Sequence, residues 1–252
     1  MPRLPVGPTL IERFYPEARF GGFTRDDGGI EFFTRIAALL RPTDRVLDYG
    51  AGRGAQIATD ECEYRRALKT LKGRVAHLEG CDVDPAVLDN PYLDAAKVID
   101  PAQPLPYPDA SFDLVYSNWV FEHVEDPATV AAELLRVTKP GGYICAVTPN
   151  KRGYIALAAR LAGNKRHVSL LERIQPDRQA VDVFPTTYRL NTRAAIERYF
   201  GKGGEVAVYA MSSEPAYHFG SALLFRLMRL IHKLTPAALH TALFVFVRKR
   251  PV

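Results

Sequence analysis

Asp48 stands two residues ahead of three alternating glycines, Gly50, Gly52 and Gly54, in the stretch VLDYGAGRGA. Glycines at that spacing after an apolar run let the backbone turn sharply and come close to a ligand. GAGRGA also fits the loose dinucleotide pattern G-x-G-x-x-A, which is weak by itself. A dinucleotide site wants a ribose-binding acid about 20 residues further on, whereas here the next candidate, Asp82, lies 32 residues beyond Gly50. A longer intervening helix accounts for that difference, so spacing does not decide. Asp48 decides more. A carboxylate beside the turn repels a pyrophosphate and attracts a cation. S-adenosylmethionine carries an ammonium, a sulfonium and an adenosine but no phosphate, and it suits this acid better than a dinucleotide does.

The elements that must position these groups alternate along the chain. GGIEFFTRIAALLRP has helical spacing at Phe33, Ile36, Ala37 and Leu40 and stops at Pro42. RVLDYG reads as a buried strand, QIATDECEYRRALKTL as one helix, and RVAHLEGCDVDP as a second strand ending in acids. AAKVIDP is a short third strand and SFDLVYSNWVF a fourth. PATVAAELLRVTKPGG is a helix with proline in its first turn and a glycine stop, and YICAVTPN is a fifth strand. Further on, NTRAAIERYF is a helix capped by Asn191 or Thr192. EVAVYAM, FGSALLFRLMRLIHKL and LFVFVRKR then read as strand, helix and strand. This alternation predicts an α/β fold: a Rossmann-like, doubly wound, mostly parallel seven-stranded sheet with an antiparallel C-terminal strand and helical substrate-cap insertions. Ligands of such sheets bind beyond the carboxyl ends of the strands. Gly50–Gly54, Asp82, Asp100 and Ser117–Trp119 all fall there.

Composition narrows the setting. The chain has 252 residues, 47% hydrophobic, enough for one globular domain with a full core. No run of eighteen or more apolar residues predicts a membrane span, and the first twenty residues have no secretory signal pattern. Cys62, Cys81 and Cys145 are few and widely spaced, with no metal or disulfide pattern, and are expected to be buried thiols in a reducing, cytoplasmic setting. No metal site is expected. Charge divides the chain: residues 1–150 carry 16 Lys/Arg and 22 Asp/Glu, and residues 151–252 carry 17 and 6. The second half therefore favours anionic partners. Aromatics are not interleaved with basic residues and no reader motif is present, so nucleic acid is not expected. The expected organisation is a helical cap over 1–43, a donor-binding core over 44–150, a basic substrate-cap insertion over 151–191, and a C-terminal part of the sheet with an inserted amphipathic helix over 192–252.

LDYGAGRG, GCDVDP, LPYPDASFDLVYSNWVFEHVEDP and LRVTKPGGYICAVTPN resemble, in order, the motifs of class I S-adenosylmethionine-dependent methyltransferases, closest to the small-molecule and quinone-type branch. The resemblance covers roughly residues 44–150. It implies that Asp48 orients the methionine ammonium, and that Gly50, Ala51 and Gly52 let the backbone approach the donor. Asp82 would accept both ribose hydroxyls and Val83 would pack beside adenine. Asp100 would meet the adenine amino group with Pro101 and Ala102 lining that edge, and Ser117 and Asn118 would line the methionine end. Ala51 departs from the cysteine or serine common in the family but stays small.

Methyl transfer from a sulfonium is an in-line displacement, so the protein mainly positions the acceptor. A base is needed only for a hydroxyl or a protonated amine. Glu122, His123, His167, Asp182, Tyr188 and His218 are candidates, with His123 first. Asn118, His123 and Tyr188 are the expected catalytic set, and Trp119, His167, Asp182, Tyr188 and Arg189 the expected acceptor contacts. The basic excess at Lys151, Arg152, Arg160, Lys165, Arg166, Arg173, Arg178 and Arg189 suggests a small anionic or lipid- or saccharide-linked acceptor, with O-methylation favoured. In the helix 219–234, Leu223, Leu227, Leu230 and Leu234 share one face, and Arg226, Arg229 and Lys233 another. Such a helix either packs its leucines on the sheet or a partner subunit, in a monomer or homodimer, or lies on a membrane surface. The competing functions are an NAD(P)-dependent oxidoreductase, for which no Tyr-x-x-x-Lys pair is present, and a donor-binding protein without turnover.

Overall fold

The computed structural model describes residues 8–157, 185–215 and 218–251. Seven strands form one sheet: β1 Arg45–Tyr49, β2 His77–Asp82, β3 Ala95–Val98, β4 Phe112–Asn118, β5 Thr138–Pro149, β6 Gly204–Met211 and β7 Ala242–Lys249. Their order is β3-β2-β1-β4-β5-β7-β6. The pairs β1–β2, β2–β3, β1–β4 and β4–β5 are parallel, and β7 runs antiparallel to both β5 and β6. The numbered helices are α1 Leu10–Phe14, α2 Gly28–Leu39, α3 Ala55–Ala58, α4 Glu63–Lys69, α5 Pro127–Val137, α6 Arg193–Phe200 and α7 Ala222–Leu234. Strand order reverses between β1 and β4, which places a crevice beyond their carboxyl ends.

Both sheet faces are covered, and the strands alternate between them. Val46 packs with Phe32, Phe33 and Ile36 of α2. Its neighbour Leu47 joins Ala131, Leu134 and Val137 of α5, and Ile196 and Phe200 of α6. A strand buried on both faces has no polar side to show, which is why these strands read as unbroken apolar runs. The helix starts follow local chemistry. Asp27, Asp126, Thr192 and Ser221 each accept a backbone N–H in the first turn of α2, α5, α6 and α7. Asn191 is not the cap of α6; it is buried and donates to Thr148 Oγ1 at 2.7 Å and to the Pro149 carbonyl.

Two sequence expectations need correction. The helix over QIATDECEYRRALKTL is two short ones, α3 and α4. Between them Asp60 turns inward, is buried, and accepts from Cys62 N–H, Arg65 and Lys69, which a continuous helix would not permit. The glycine stop after α5 is also absent. The helix ends at Val137, and Gly141 and Gly142 already lie inside β5.

Arg65 bridges the chain's front to the core. Its guanidinium reaches Asp60 at 2.7 Å and Asp27, the cap of α2, at 2.5 Å, and both carboxylates are buried. Arg65→Ala strands Asp27 without this partner and leaves Asp60 with Lys69 as its charged partner. The expected loss is about 2–3 kcal/mol, below the range for a fully buried pair because Arg65 is partly exposed. Differential scanning calorimetry should show a Tm lower by about 5–10 °C; an unchanged Tm would mean the network is cosmetic.

Candidate functional site

The glycine turn follows β1 directly. Gly50 has φ +81°, and its N–H donates to the Cys81 carbonyl at 2.8 Å, with Ala51 N–H on the same oxygen at 3.1 Å. A Cβ at Gly50 would lie 2.2 Å from Val120 Cγ2, so only glycine fits. Gly52, at φ +52°, is the opposite case, since a Cβ there would meet nothing within 4 Å. The turn is thus pressed against the protein at Gly50 and faces open space at Gly52. Asp82, at the end of β2, holds it from the side: Oδ2 accepts from Gly52 N–H at 2.8 Å and Oδ1 from Asp84 N–H at 3.0 Å. Asn90 braces it from below, donating to the carbonyls of Ala51 and Gly52.

Asp48 is largely withdrawn from water. Its register partner across β4 is Tyr116, whose hydroxyl donates to Asp48 Oδ2 at 2.7 Å. Burial pushes the Asp48 carboxyl up to about 7; the Tyr116 hydrogen bond opposes this and the Asp82 charge adds to it. A carboxylate in that position gains most from a cation.

The other strand ends complete the rim. Asp100 is exposed beyond β3, and its Oδ1 accepts from Ala102 N–H at 2.9 Å. Asp100 and Pro101 line a recess with Tyr49, Ile99, Gln103 and Leu105. Val83 is exposed after β2. Ser117 is buried, with no partner for its hydroxyl among the described residues. The Asn118 amide donates to Gln56 of α3, which ties β4 to the glycine turn's helix. Trp119 turns the chain at φ +59°, a conformation that bulky residues adopt only under constraint, and leaves its indole half-exposed.

Glu122 and His123 approach each other, Nε2 to Oε1 at 3.9 Å, and each also holds further neighbours. Glu122 is buried, and its Oε2 accepts from Thr148 Oγ1 at 2.9 Å, which in turn accepts from Asn191. Its carbonyl receives the N–H groups of Thr187 and Tyr188. Glu122 therefore pins the segment 185–191 across the ends of β4 and β5. The Nδ1 of His123 bonds the Pro185 carbonyl at 2.9 Å. Tyr188 sits at φ +53° beside this network. Arg189 donates to the Glu125 carbonyl at 2.6 Å. Two sequence candidates, His167 and Asp182, lie outside the described residues, as do Arg160, Lys165, Arg166, Arg173 and Arg178.

Sequence reasoning missed Tyr116, Gln56, Asn90 and Val120. Tyr116 was findable, because pairing β1 with β4 puts it beside Asp48. The other three reach the turn from distant segments, and no local pattern marks them. The assembled site suits the methyl donor on its own chemistry. A half-buried carboxylate with a raised proton affinity stands beside the turn, the turn is open at Gly52, a second carboxylate has lone pairs to spare, and the Ser117 hydroxyl at the end of β4 has no partner among the described residues.

The fold is the Rossmann-like one of class I S-adenosylmethionine-dependent methyltransferases. Residues 47–146 match the family described as "Methyltransferase domain", and that part of the chain is such a domain. A malonyl-[acyl-carrier protein] O-methyltransferase from Halorhodospira halophila is 36% identical over 47% of this chain and 40% of its own length. A 2-methyl-6-phytyl-1,4-hydroquinone methyltransferase from Synechocystis is 33% identical over 45% of this chain and 34% of its own length. The chain thus spans less than half the length of these curated relatives. A SAM-dependent methyltransferase structure from Thermotoga maritima shares the fold with TM-score 0.57 at 14% identity, covering 96% of this chain and 98% of that one.

Proposed function

We propose that the chain transfers a methyl group from S-adenosylmethionine to a small, anionic or lipid- or saccharide-linked acceptor, at oxygen, by in-line displacement. The observation that carries the reading is the Asp48–Tyr116 pair set beside a glycine turn open at Gly52. The donor, when bound, supplies an already activated methyl leaving from sulfur. Asp48 holds its ammonium, Asp82 its ribose hydroxyls, and Val83, Asp100, Pro101 and Ala102 its adenine edge. Ser117 and Asn118 line the reacting end.

Acceptor chemistry draws on the second half of the chain. A cleft of about 630 Å³ opens between the N-terminal segment and α7, lined by Tyr15, Arg226, Arg229, His232, Lys233 and His240, with Asp26 as the acid among its described lining residues. It lies at the carboxyl edge of the sheet, beside the end of β6 and the start of β7. Two to three strand spacings, about 10–14 Å, separate it from β4. That span supports an elongated acceptor, its anionic group in the cleft and its nucleophile near Trp119 and His123. The Pro185 carbonyl can only accept, which supports a His123 proton on Nδ1 and leaves Nε2, 3.9 Å from Glu122 Oε1, as the nitrogen that would take a hydroxyl proton. His167 and Asp182 of the basic insertion, with Tyr188 and Arg189 beyond it, are proposed to close on the acceptor.

Incubation with cell extract and methyl-deuterated S-adenosylmethionine tests the reading, with a labelled product as the expected outcome. Donor binding without any labelled product would leave a non-catalytic binder, and no donor binding would end the proposal.

Asp48 makes the binding pH-dependent. Its folded pKa is raised above the ordinary value near 4, so the ligand-free protein holds this proton more tightly than the unfolded chain does. That contribution to stability is lost as pH rises from about 4 to about 7. A bound ammonium favours the ionised carboxylate, so donor affinity should rise with pH, by at most about tenfold per unit below 7. Calorimetric titration with S-adenosylhomocysteine should show this rising limb, and Asp48→Asn should flatten it. An equally steep limb in the variant would remove Asp48 from the ammonium site.

A further inference from the structure

Helix α7 presents the wrong face to water. Its inner side is anchored by Phe225, which is fully buried and stacks on Phe14 with ring centroids 4.8 Å apart, and by the buried Met228. Its outer side carries Leu223, Leu227, Leu230 and Leu234, exposed by 78%, 52%, 51% and 72%. Spaced four, three and four apart, these leucines form one stripe along the helix. Phe219, just before the helix, and Leu239, just after it, are exposed as well. The leucines do not pack on the sheet, so one alternative raised by the sequence is removed.

Charge indicates what covers the stripe. Arg226 and Lys233 are exposed along one flank, and no Asp or Glu occurs after Glu214. Arg229 is turned inward, donating to the Phe14 carbonyl and lying over the Tyr15 ring. A two-fold contact with a second copy through this face would set the same cations against each other, with no acid on the helix to answer them. An anionic lipid surface answers both halves of the pattern: leucines enter the acyl boundary while Arg and Lys stems reach up to headgroup phosphates.

We propose that α7, with Phe219, is an interfacial anchor that seats the protein on anionic membranes. Among the described residues no helix is long and apolar enough to cross one, so the contact is peripheral. The helix joins β6 to β7 at the same sheet edge that carries the glycine turn, so a docked bilayer faces the donor site's end of the molecule. The inference stands on exposure and charge, and does not require methyl transfer.

Vesicle flotation of the full chain tests it. The protein should float with mixed phosphatidylcholine–phosphatidylglycerol vesicles and release as salt is raised. It should bind pure phosphatidylcholine weakly. Leu223→Gln/Leu227→Gln should cut the bound fraction about tenfold or more, and Arg226→Gln/Lys233→Gln should weaken binding to the anionic vesicles while leaving the weak binding to pure phosphatidylcholine as it was. All four positions are exposed, so unchanged Tm values confirm folded variants. Wild-type protein that stays unbound, or undiminished binding by the leucine variant, overturns the proposal. So does a dimer in sedimentation velocity that the leucine variant disperses, which would assign the stripe to a second copy.

Discussion

Asp82→Ala is expected to weaken S-adenosylmethionine binding by about a hundredfold or more. Two hydrogen bonds to an ionised acceptor are each worth about 1.5–3 kcal/mol, and both would be lost. The same carboxylate accepts from Gly52 and Asp84 N–H groups, so the variant also releases the turn that faces the donor. Asp82→Asn separates the two effects. Its single carbonyl oxygen still supports one backbone donor, so the turn should stay closer to its native path while the charge is gone. Isothermal calorimetry with S-adenosylmethionine and S-adenosylhomocysteine measures the loss, and thermal unfolding reports on the turn. Wild-type affinity in Asp82→Ala would move the ribose elsewhere.

Gly50→Ala should be severely damaging for a change of one methyl group. The new Cβ would stand 2.2 Å from Val120 Cγ2 and 2.8 Å from its Cγ1, at φ +81°. Valine is stiff at χ1 and cannot swing away. Overpacking and the left-handed backbone each cost about 1–3 kcal/mol, so a loss of about 2–6 kcal/mol of stability is expected together with loss of donor binding. Gly52→Ala is the contrast, because its Cβ enters open space: the fold should hold while donor affinity falls. Gly50→Ala/Val120→Ala should recover part of the stability, since it removes the clash but not the backbone strain. Paired calorimetric and melting measurements decide. A Gly50→Ala protein with native Tm and affinity would show that the turn is not the tight contact described.

Much of the core was legible because strand and helix periods repeat locally. The apolar runs around Leu47, Leu114 and Ile144 announce buried parallel strands, and Asp126–Pro127 announces a helix start. Boundaries failed where a distant charge intervened. Asp60 breaks an otherwise good helical pattern to pair with Lys69 and with the Arg65 guanidinium that also reaches the distant Asp27, and nothing within the QIATDECEYRRALKTL window reveals that the carboxylate is buried. Glu122 stands among the candidate bases in the sequence, and the partners that tie it into the fold, Thr148 and Thr187, lie 26 and 65 residues away.

By itself the sequence determined the class of fold and pointed to the donor, because glycine spacing, strand-end acids and apolar runs are short-range constraints written in consecutive residues. Only the tertiary structure decided how Asp48 is tuned, why Gly50 cannot carry a side chain, and which face of α7 remains in water. Those depend on Tyr116, Val120 and Phe14, residues brought close by packing rather than by chain order. Burial and its electrostatic consequences belong to the assembled fold.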